Sequence, residues 1–304
     1  MLGEDKLKEF LELYKNRKPV FTISNSFFER DGILFLSNPL LPFVKEEEKV
    51  KTKNEKIESF LNYKDSKKRK FLTLEQFNLA INGEVTKLND LIEKDDLKQP
   101  KYIEDLRTSV EISRETFSSK EHQLFSYAPY YIEEVPIDIK KNEYSKTFTS
   151  IFVKVLDEDK FSKNNFDCEN ILKEVFNIGF GKKKSSGYGQ FEVNGFEEFK
   201  GFDEPEDSTG FITLSNYLPS TDDGLTAENS LYDLNIKYGK LGEELALSSN
   251  PFKKPIVFMT PGSCFKTEVN KDFYGRCVSD IVQLTELKDK VIQNGIAFSL
   301  RINL

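Results

Sequence analysis

Leu7, Phe10, Leu11 and Tyr14 recur at the i, i+3, i+4, i+7 spacing of one helix face, so residues 4–16 read as an amphipathic helix. Pro19 ends it, and Val20 to Ser26 reads as a strand. Thr73 and Gln76 have the spacing of a capping box, with Leu74, Phe77 and Ile81 as the buried face behind it. Gly83 supplies the stop, and a second helix follows through Leu91. Phe148 to Leu156 alternates as a strand. Cys168, Ile171, Leu172 and Val175 repeat at helical spacing, with Asn164 or Asn165 as the N-cap and Gly179 as the stop. Phe191 and Val193 then alternate with Gln190 and Glu192, as in a half-buried strand.

Residues 195–210 are rich in Gly, Glu and Asp and read as a linker. Phe211 to Tyr217 begins a new strand set. Pro255 to Thr260 and Cys264 to Val269 read as two strands around the Pro261-Gly262 turn. Ile281, Leu284, Leu287 and Val291 mark a helix face. Ile296, Phe298, Leu300, Ile302 and Leu304 alternate with smaller or polar residues, the period of a strand. The first half has the strand, helix, strands, helix, strand order of a βαββαβ unit with insertions. The expected class is therefore α+β, with two ferredoxin-like (RRM-like) domains. The first spans residues 1–200 and carries the insertions; the second spans 201–304.

Composition narrows the possible functions. The chain has 304 residues, 38% hydrophobic and 31% charged, as expected for a soluble globular protein. It contains no apolar run long enough for a transmembrane helix, and residues 1–19 lack the apolar core of a signal peptide. Cys168, Cys264 and Cys277 are odd in number and widely spaced, which points to a reducing cytoplasm. His122 is the only histidine and there is no CxxC pair, so no metal or cofactor is expected. The net charge of −7 argues against nonspecific nucleic-acid binding. Charge is uneven, however. Residues 45–70 hold ten Lys/Arg against six Asp/Glu, which reads as a solvated insertion or a basic arm.

The stretch Gly179-Phe-Gly-Lys-Lys-Lys-Ser-Ser-Gly-Tyr-Gly189 carries the strongest chemical signal. Gly179, Gly181, Gly187 and Gly189 permit positive φ and close approach of the backbone to a ligand. Successive free N–H groups in such a loop form an anion-binding concavity. Lys182, Lys183 and Lys184 add charge, and Ser185, Ser186 and Tyr188 add hydroxyls. A phosphodiester backbone fits that combination. The loop is neither a Walker A motif nor a dinucleotide fingerprint, because Phe176, Lys184 and Glu192 stand where those patterns need glycine. The alternative is a basic turn with no ligand.

This loop resembles the glycine-rich loop of the RAMP proteins of CRISPR effector complexes. Phe21-Thr-Ile-Ser-Asn-Ser-Phe27 and Leu34-Phe-Leu-Ser-Asn-Pro-Leu40 resemble the opening of the type III-A (Csm complex) subunit that binds the 5′ handle of the guide RNA (crRNA). Arg107 to Thr116, with Leu124-Phe125 and Tyr130-Tyr131, resembles its central segment. Lys254 to Phe265, including Gly262-Ser263, and Gly295 to Leu304 resemble its later strands. The pattern departs at Asn25 and Phe28, where the family would carry Asp and Pro. The resemblance implies a noncatalytic RNA-binding subunit docked on a large signalling subunit and on a repeated backbone subunit. It implies RNA contacts from the loop, from Arg107 and Arg114, and from Gly262 and Ser263.

Residues 107–131 are polar and aromatic without strong periodicity and read as an irregular strand-and-loop excursion. Their Arg, Phe and Tyr content suits splayed RNA bases. Two other classes stay open. His122 with Tyr127 or Tyr130 could serve a metal-independent endoribonuclease. A protein-interaction scaffold without RNA affinity would use the glycine loop only as a turn.

Overall fold

The computed structural model describes residues 2–41, 69–138, 140–141, 143–181, 187–242, 245, 248, 250–283 and 291–304, except the side chains of 120–122, 138 and 229. The basic stretch 45–68, the loop residues 182–186, the His122 side chain and the 284–290 part of the expected late helix lie outside them.

In chain order, α1 (Glu4–Lys15) leads into β1 (Phe21–Arg30), β2 (Ile33–Ser37) and β3 (Phe71–Thr73), then α2 (Leu74–Ile81) and α3 (Val85–Glu93). An excursion follows, built of β4 (Tyr102–Glu104), β5 (Arg107–Ile112), β6 (Ser119–Tyr127), β7 (Tyr130–Ile132), β8 (Pro136–Asp138) and β9 (Glu143–Tyr144). The chain returns through β10 (Thr147–Val155), α4 (Glu158–Phe161) and α5 (Cys168–Asn177). The remainder is β11 (Gly210–Thr213), β12 (Leu225–Leu231), β13 (Leu234–Lys237), β14 (Ile256–Met259), β15 (Cys264–Thr267) and β16 (Ser299–Ile302).

The class is α+β with antiparallel sheets, as expected. The second four-stranded sheet runs β12-β15-β11-β16 with every pair antiparallel. In order of appearance that is 2-3-1-4, the ferredoxin-like strand order. Its first crossover is a single 3-10 turn, Thr221–Asp223, in place of a helix. The first sheet runs β10-β1-β2-β3 and departs from the expected order. β1, β2 and β3 form a meander, and β10 returns beside β1. No strand forms at Phe191 and Val193; β1 is flanked by β10 along its length and by β2 at Phe28–Arg30.

Local signals explain the helices well. Thr73 Oγ1 accepts the Gln76 N–H, and Gln76 Oε1 accepts the Thr73 N–H, so the capping box is complete. Phe77 and Ile81 are fully buried beneath it. α5 starts later than expected. Its N-cap is Asp167, held at φ +50°, rather than Asn164 or Asn165. Val175 faces solvent, while Cys168 and Leu172 are buried. Gly179, at φ +89°, follows the helix and donates its N–H to Phe176 O, as a helix stop does.

One apolar cluster draws on both sheets. Leu36, Leu72, Phe77, Ile81 and Phe152 pack with Ile212, Leu214, Leu300 and Ile302. β1 carries a bulge between Ile23 and Ser26, and the Asn25 N–H there bonds Leu214 O at 2.9 Å across the seam. The stretch expected as a linker is built into this core. Phe199 and Phe202 pack on Phe152 at 4.9 and 5.0 Å between ring centres. Asn78 and Asn82 donate their side-chain amides to Gly201 O and Asp203 O.

The strands flanking Pro261-Gly262 do not pair with each other. β14 pairs with β13, and β15 pairs with β11 and β12. Late alternation also shortens to β16, since Ala297 and Ser299 are buried as well as Phe298 and Leu300.

Asp95, just past α3, ties that helix to the start of β3. It accepts from Arg69 at 2.5 Å, from Gln76 Nε2 at 2.9 Å and from the Leu97 N–H at 2.8 Å. Burial alone would raise its pKa. The hydrogen bonds from Gln76, Leu97 and Arg69 outweigh that and hold it below its ordinary 3.8. The unfolded chain therefore binds the proton first, so this contribution is complete above the ordinary value. It is lost as pH falls through the lowered folded value. Asp95→Asn is expected to cost about 1–3 kcal/mol at pH 7 and progressively less as pH falls below 3.8. Urea unfolding across a series of pH values measures this, and a cost that does not change with pH would refute it.

Candidate nucleic-acid interface

The excursion is fastened to the first sheet at its base. Arg30, buried at the end of β1, donates to Lys98 O and to Glu133 O, one on each leg. Lys98 and Glu133 form an ion pair at 2.9 Å. Phe28 packs against Tyr102 at 4.7 Å between ring centres. Beyond this base, the expected irregular excursion takes the form of a β5–β6 hairpin whose register shifts between Val110 and Ile112. Both of its faces meet solvent, with Val110, Ile112, Leu124 and Phe125 all exposed. A strand pair without a buried face needs no apolar alternation, which is why the sequence pattern hid it.

The described ends of the glycine loop form a closed neck. The Phe180 N–H donates to Gly189 O at 2.9 Å. All four glycines have positive φ: Gly179 +89°, Gly181 +110°, Gly187 +83° and Gly189 +66°. A Cβ on Gly189 would lie 1.8 Å from Phe180 O, and one on Gly179 would lie 2.7 Å from Gln190 Nε2. Side chains at these two positions would force the neck apart, so glycine is required there.

Two candidates 81 residues apart meet at this neck. Arg107, at the start of β5, donates from one terminal nitrogen to Tyr188 Oη at 2.7 Å and from the other to Tyr131 Oη at 2.9 Å. Its Nε donates to Asp105 at 2.8 Å. The guanidinium carbon lies 5.9 Å from the centre of each tyrosine ring. Tyr188 also meets Tyr127 edge-on at 6.3 Å. The hydrogen bond shared with Tyr127 raises the Tyr188 pKa first, burial adds to it, and Arg107 opposes it. Nearby, Tyr102 and Tyr130 meet edge-on at 6.3 Å. The Tyr130 hydroxyl is held above its ordinary pKa chiefly by its hydrogen bond with Glu104.

These groups border one cleft. Its floor is formed by β1 and β10, one wall by residues 126–132, and the other by Phe180, Gly181 and residues 187–199. It encloses about 3260 Å³, several times the 300–1,000 Å³ typical of a small-molecule site. Aromatic rings line it, but its charges are mixed: Glu192, Glu197 and Glu198 stand against Lys154 and Lys237.

Other sequence candidates sit elsewhere. Arg114 is exposed in the turn that closes the β5–β6 hairpin. Gly262 and Ser263 are buried at the seam between the sheets. Gly262 has φ +93°, donates to Thr213 O and accepts from the Leu40 N–H, and a Cβ there would lie 2.7 Å from Asn38 O. Ser263 Oγ accepts the Asp233 N–H. These contacts make the Gly-Ser turn a joint between the sheets. The sequence reading passed over Asp105 and its pairing with Arg107. The Asp-Leu-Arg spacing was its one visible signal, since alternate residues of an extended chain share a side.

Among the described residues, no helix is long and apolar enough to cross a membrane, and no group of three or more His, Cys, Asp or Glu could hold a metal ion. No protein-family model and no curated protein matches the sequence. Solved structures do. A chain of the Csm1-Csm4 cassette in complex with pppApA aligns with a TM-score of 0.53 at 17% identity, covering 100% of this chain and 86% of that one. A chain of the Csm3-Csm4 subcomplex in the type III-A CRISPR-Cas interference complex aligns with a TM-score of 0.54 at 16% identity, covering 99% and 88%. At such identities the likeness is one of fold, and it spans the whole chain: this protein shares its fold with a chain of the Csm1-Csm4 and Csm3-Csm4 assemblies.

Proposed function

We propose that this chain is a noncatalytic subunit of a type III-A CRISPR effector complex that binds the 5′ handle of the guide RNA. The observation that carries this reading is the meeting of Arg107, Tyr131 and Tyr188 at the glycine-loop neck, on the border of a wide open cleft lined with aromatic rings. Unpaired bases stack on the exposed faces of Tyr102, Tyr130 and Tyr131, as single-stranded RNA does on aromatic platforms. Phosphates engage Lys182, Lys183 and Lys184 of the glycine loop. Arg114 offers a further guanidinium at the hairpin tip. Gly262 and Ser263 support the cleft floor from the seam. The fold likeness supports a place in a hetero-oligomer, docked on the large signalling subunit and on the first backbone subunit.

Purifying the tagged protein from its native cell and sequencing the RNA that comes with it tests the reading. The expected result is short guides sharing a common 5′ handle, together with the partner subunits. RNA-free protein without such partners would overturn it in favour of a scaffold. Metal-independent cutting of repeat RNA, lost in His122→Ala, would replace it with an endoribonuclease.

A further inference from the structure

Arg107 would ordinarily be taken for an RNA ligand, yet three of its five N–H donors, one on each nitrogen, are used inside the protein. Each of its three nitrogens donates to a protein oxygen, on Asp105, Tyr131 and Tyr188. Asp105 neutralises its charge at 2.8 Å. The three acceptors come from three places: the chain just before β5, strand β7 and the glycine-loop neck. Tyr188 sits between Gly187 and Gly189, both at positive φ, so its backbone position depends on glycine and its side-chain position on what grips the hydroxyl. Its neighbour Gly189 closes the neck by accepting the Phe180 N–H.

We infer that Arg107 is a positioning residue: it clasps the neck of the glycine loop to the excursion and presents the ring faces of Tyr131 and Tyr188 to the cleft, without binding phosphate itself. The inference rests on the RNA-binding reading for its purpose, though not for its geometry. A forked guanidinium is required, because only a planar group with separate nitrogens reaches two hydroxyls and a carboxylate at once. Lysine carries the same charge on a single nitrogen and cannot make that clasp.

The test uses the full chain with Arg107→Ala, Arg107→Lys and Tyr188→Phe. Hydrogen exchange reads the clasp without any RNA. The Phe180 amide, bonded to Gly189 O, is expected to exchange at least ~10-fold faster in all three variants, as local opening becomes easier. Binding of a single-stranded handle RNA reads the consequence. Affinity is expected to fall about 10-fold in Arg107→Ala and Arg107→Lys with the slope of log K against log salt unchanged, since no counterion-releasing contact is lost. Unchanged exchange, or full retention by Arg107→Lys, would overturn the clasp. A slope shallower by roughly 0.7 in Arg107→Ala would make it a phosphate ligand instead. If the wild type binds no RNA, the RNA-binding reading falls, and the exchange result still decides whether Arg107 holds the neck.

Discussion

Changing Lys182, Lys183 and Lys184 together to alanine is expected to weaken handle-RNA binding by roughly 100-fold or more at physiological salt. Hydrogen bonds to charged groups contribute about 1.5–3 kcal/mol each, so the loss of two such contacts suffices. The effect should be large because the cleft offers little to replace them. Glu192, Glu197 and Glu198 line it against only a few lysines, and Asp105 holds Arg107. The salt slope should flatten by about 2, at roughly 0.7 per lost phosphate contact on single-stranded RNA. A triple Lys→Arg variant keeps the charge and should keep most of the affinity. Fluorescence anisotropy across a salt series measures both quantities, and thermal unfolding alongside separates lost affinity from lost fold. A weakening of less than about threefold would show that these lysines touch no phosphate and would favour the scaffold reading.

What could be read in advance followed from locality. The Thr73–Gln76 capping box, the α1 helix and the glycine stop after α5 depend on residues within a few positions of one another, and all appear in the structure, although on α1 Leu7 faces solvent and Leu13 joins Phe10 and Tyr14 in packing inward. The glycine loop was also legible, because four glycines so close together have few structural uses. Their positive φ values and the closed neck supply the reason. Long-range facts were not legible. Arg107 and Tyr188 could each be named, but nothing in the sequence says that they touch. The β5–β6 hairpin has no buried face to print a pattern. Phe199 and Phe202 stand in a stretch whose Gly, Glu and Asp content looks like a linker, yet Phe202 packs on the core and Phe199 stacks beside it with its ring partly in solvent. The strand expected at Phe191 and Val193 does not form, and nothing in its own alternating pattern signals that.

Asp223→Ala is expected to have the largest effect on stability of any single change in the second sheet. In the sequence this residue looks like one acid of a solvated Thr-Asp-Asp-Gly turn. In the structure its side chain is fully buried and accepts from four groups. These are the Tyr217 hydroxyl at 2.7 Å, the Ser220 N–H at 2.7 Å, the Gly275 N–H at 3.0 Å and Arg17 at 3.0 Å. Burial, then the Asp223 charge, pushes the Tyr217 pKa well upward, so that hydroxyl stays a donor throughout the working pH range. Removing the carboxylate strands a buried hydroxyl and two backbone amides, while Arg17 keeps Asp222 as a partner at 2.5 Å. Leaving a buried donor unsatisfied costs about 1–3 kcal/mol, so the three together are expected to cost about 3–5 kcal/mol, which for a chain of this length lowers Tm by roughly 10 °C. Asp223→Asn should lose less, because one carbonyl oxygen still accepts. Arg17 follows α1, so the pair also ties the N-terminal helix to the second sheet. A double-mutant cycle of Arg17→Ala with Asp223→Ala should return a coupling of at least about 1 kcal/mol. Additive losses would mean that Asp223 serves only its own turn. An Asp223→Ala cost below about 1 kcal/mol would mean that water replaces the carboxylate and that the site is not the lock its geometry indicates.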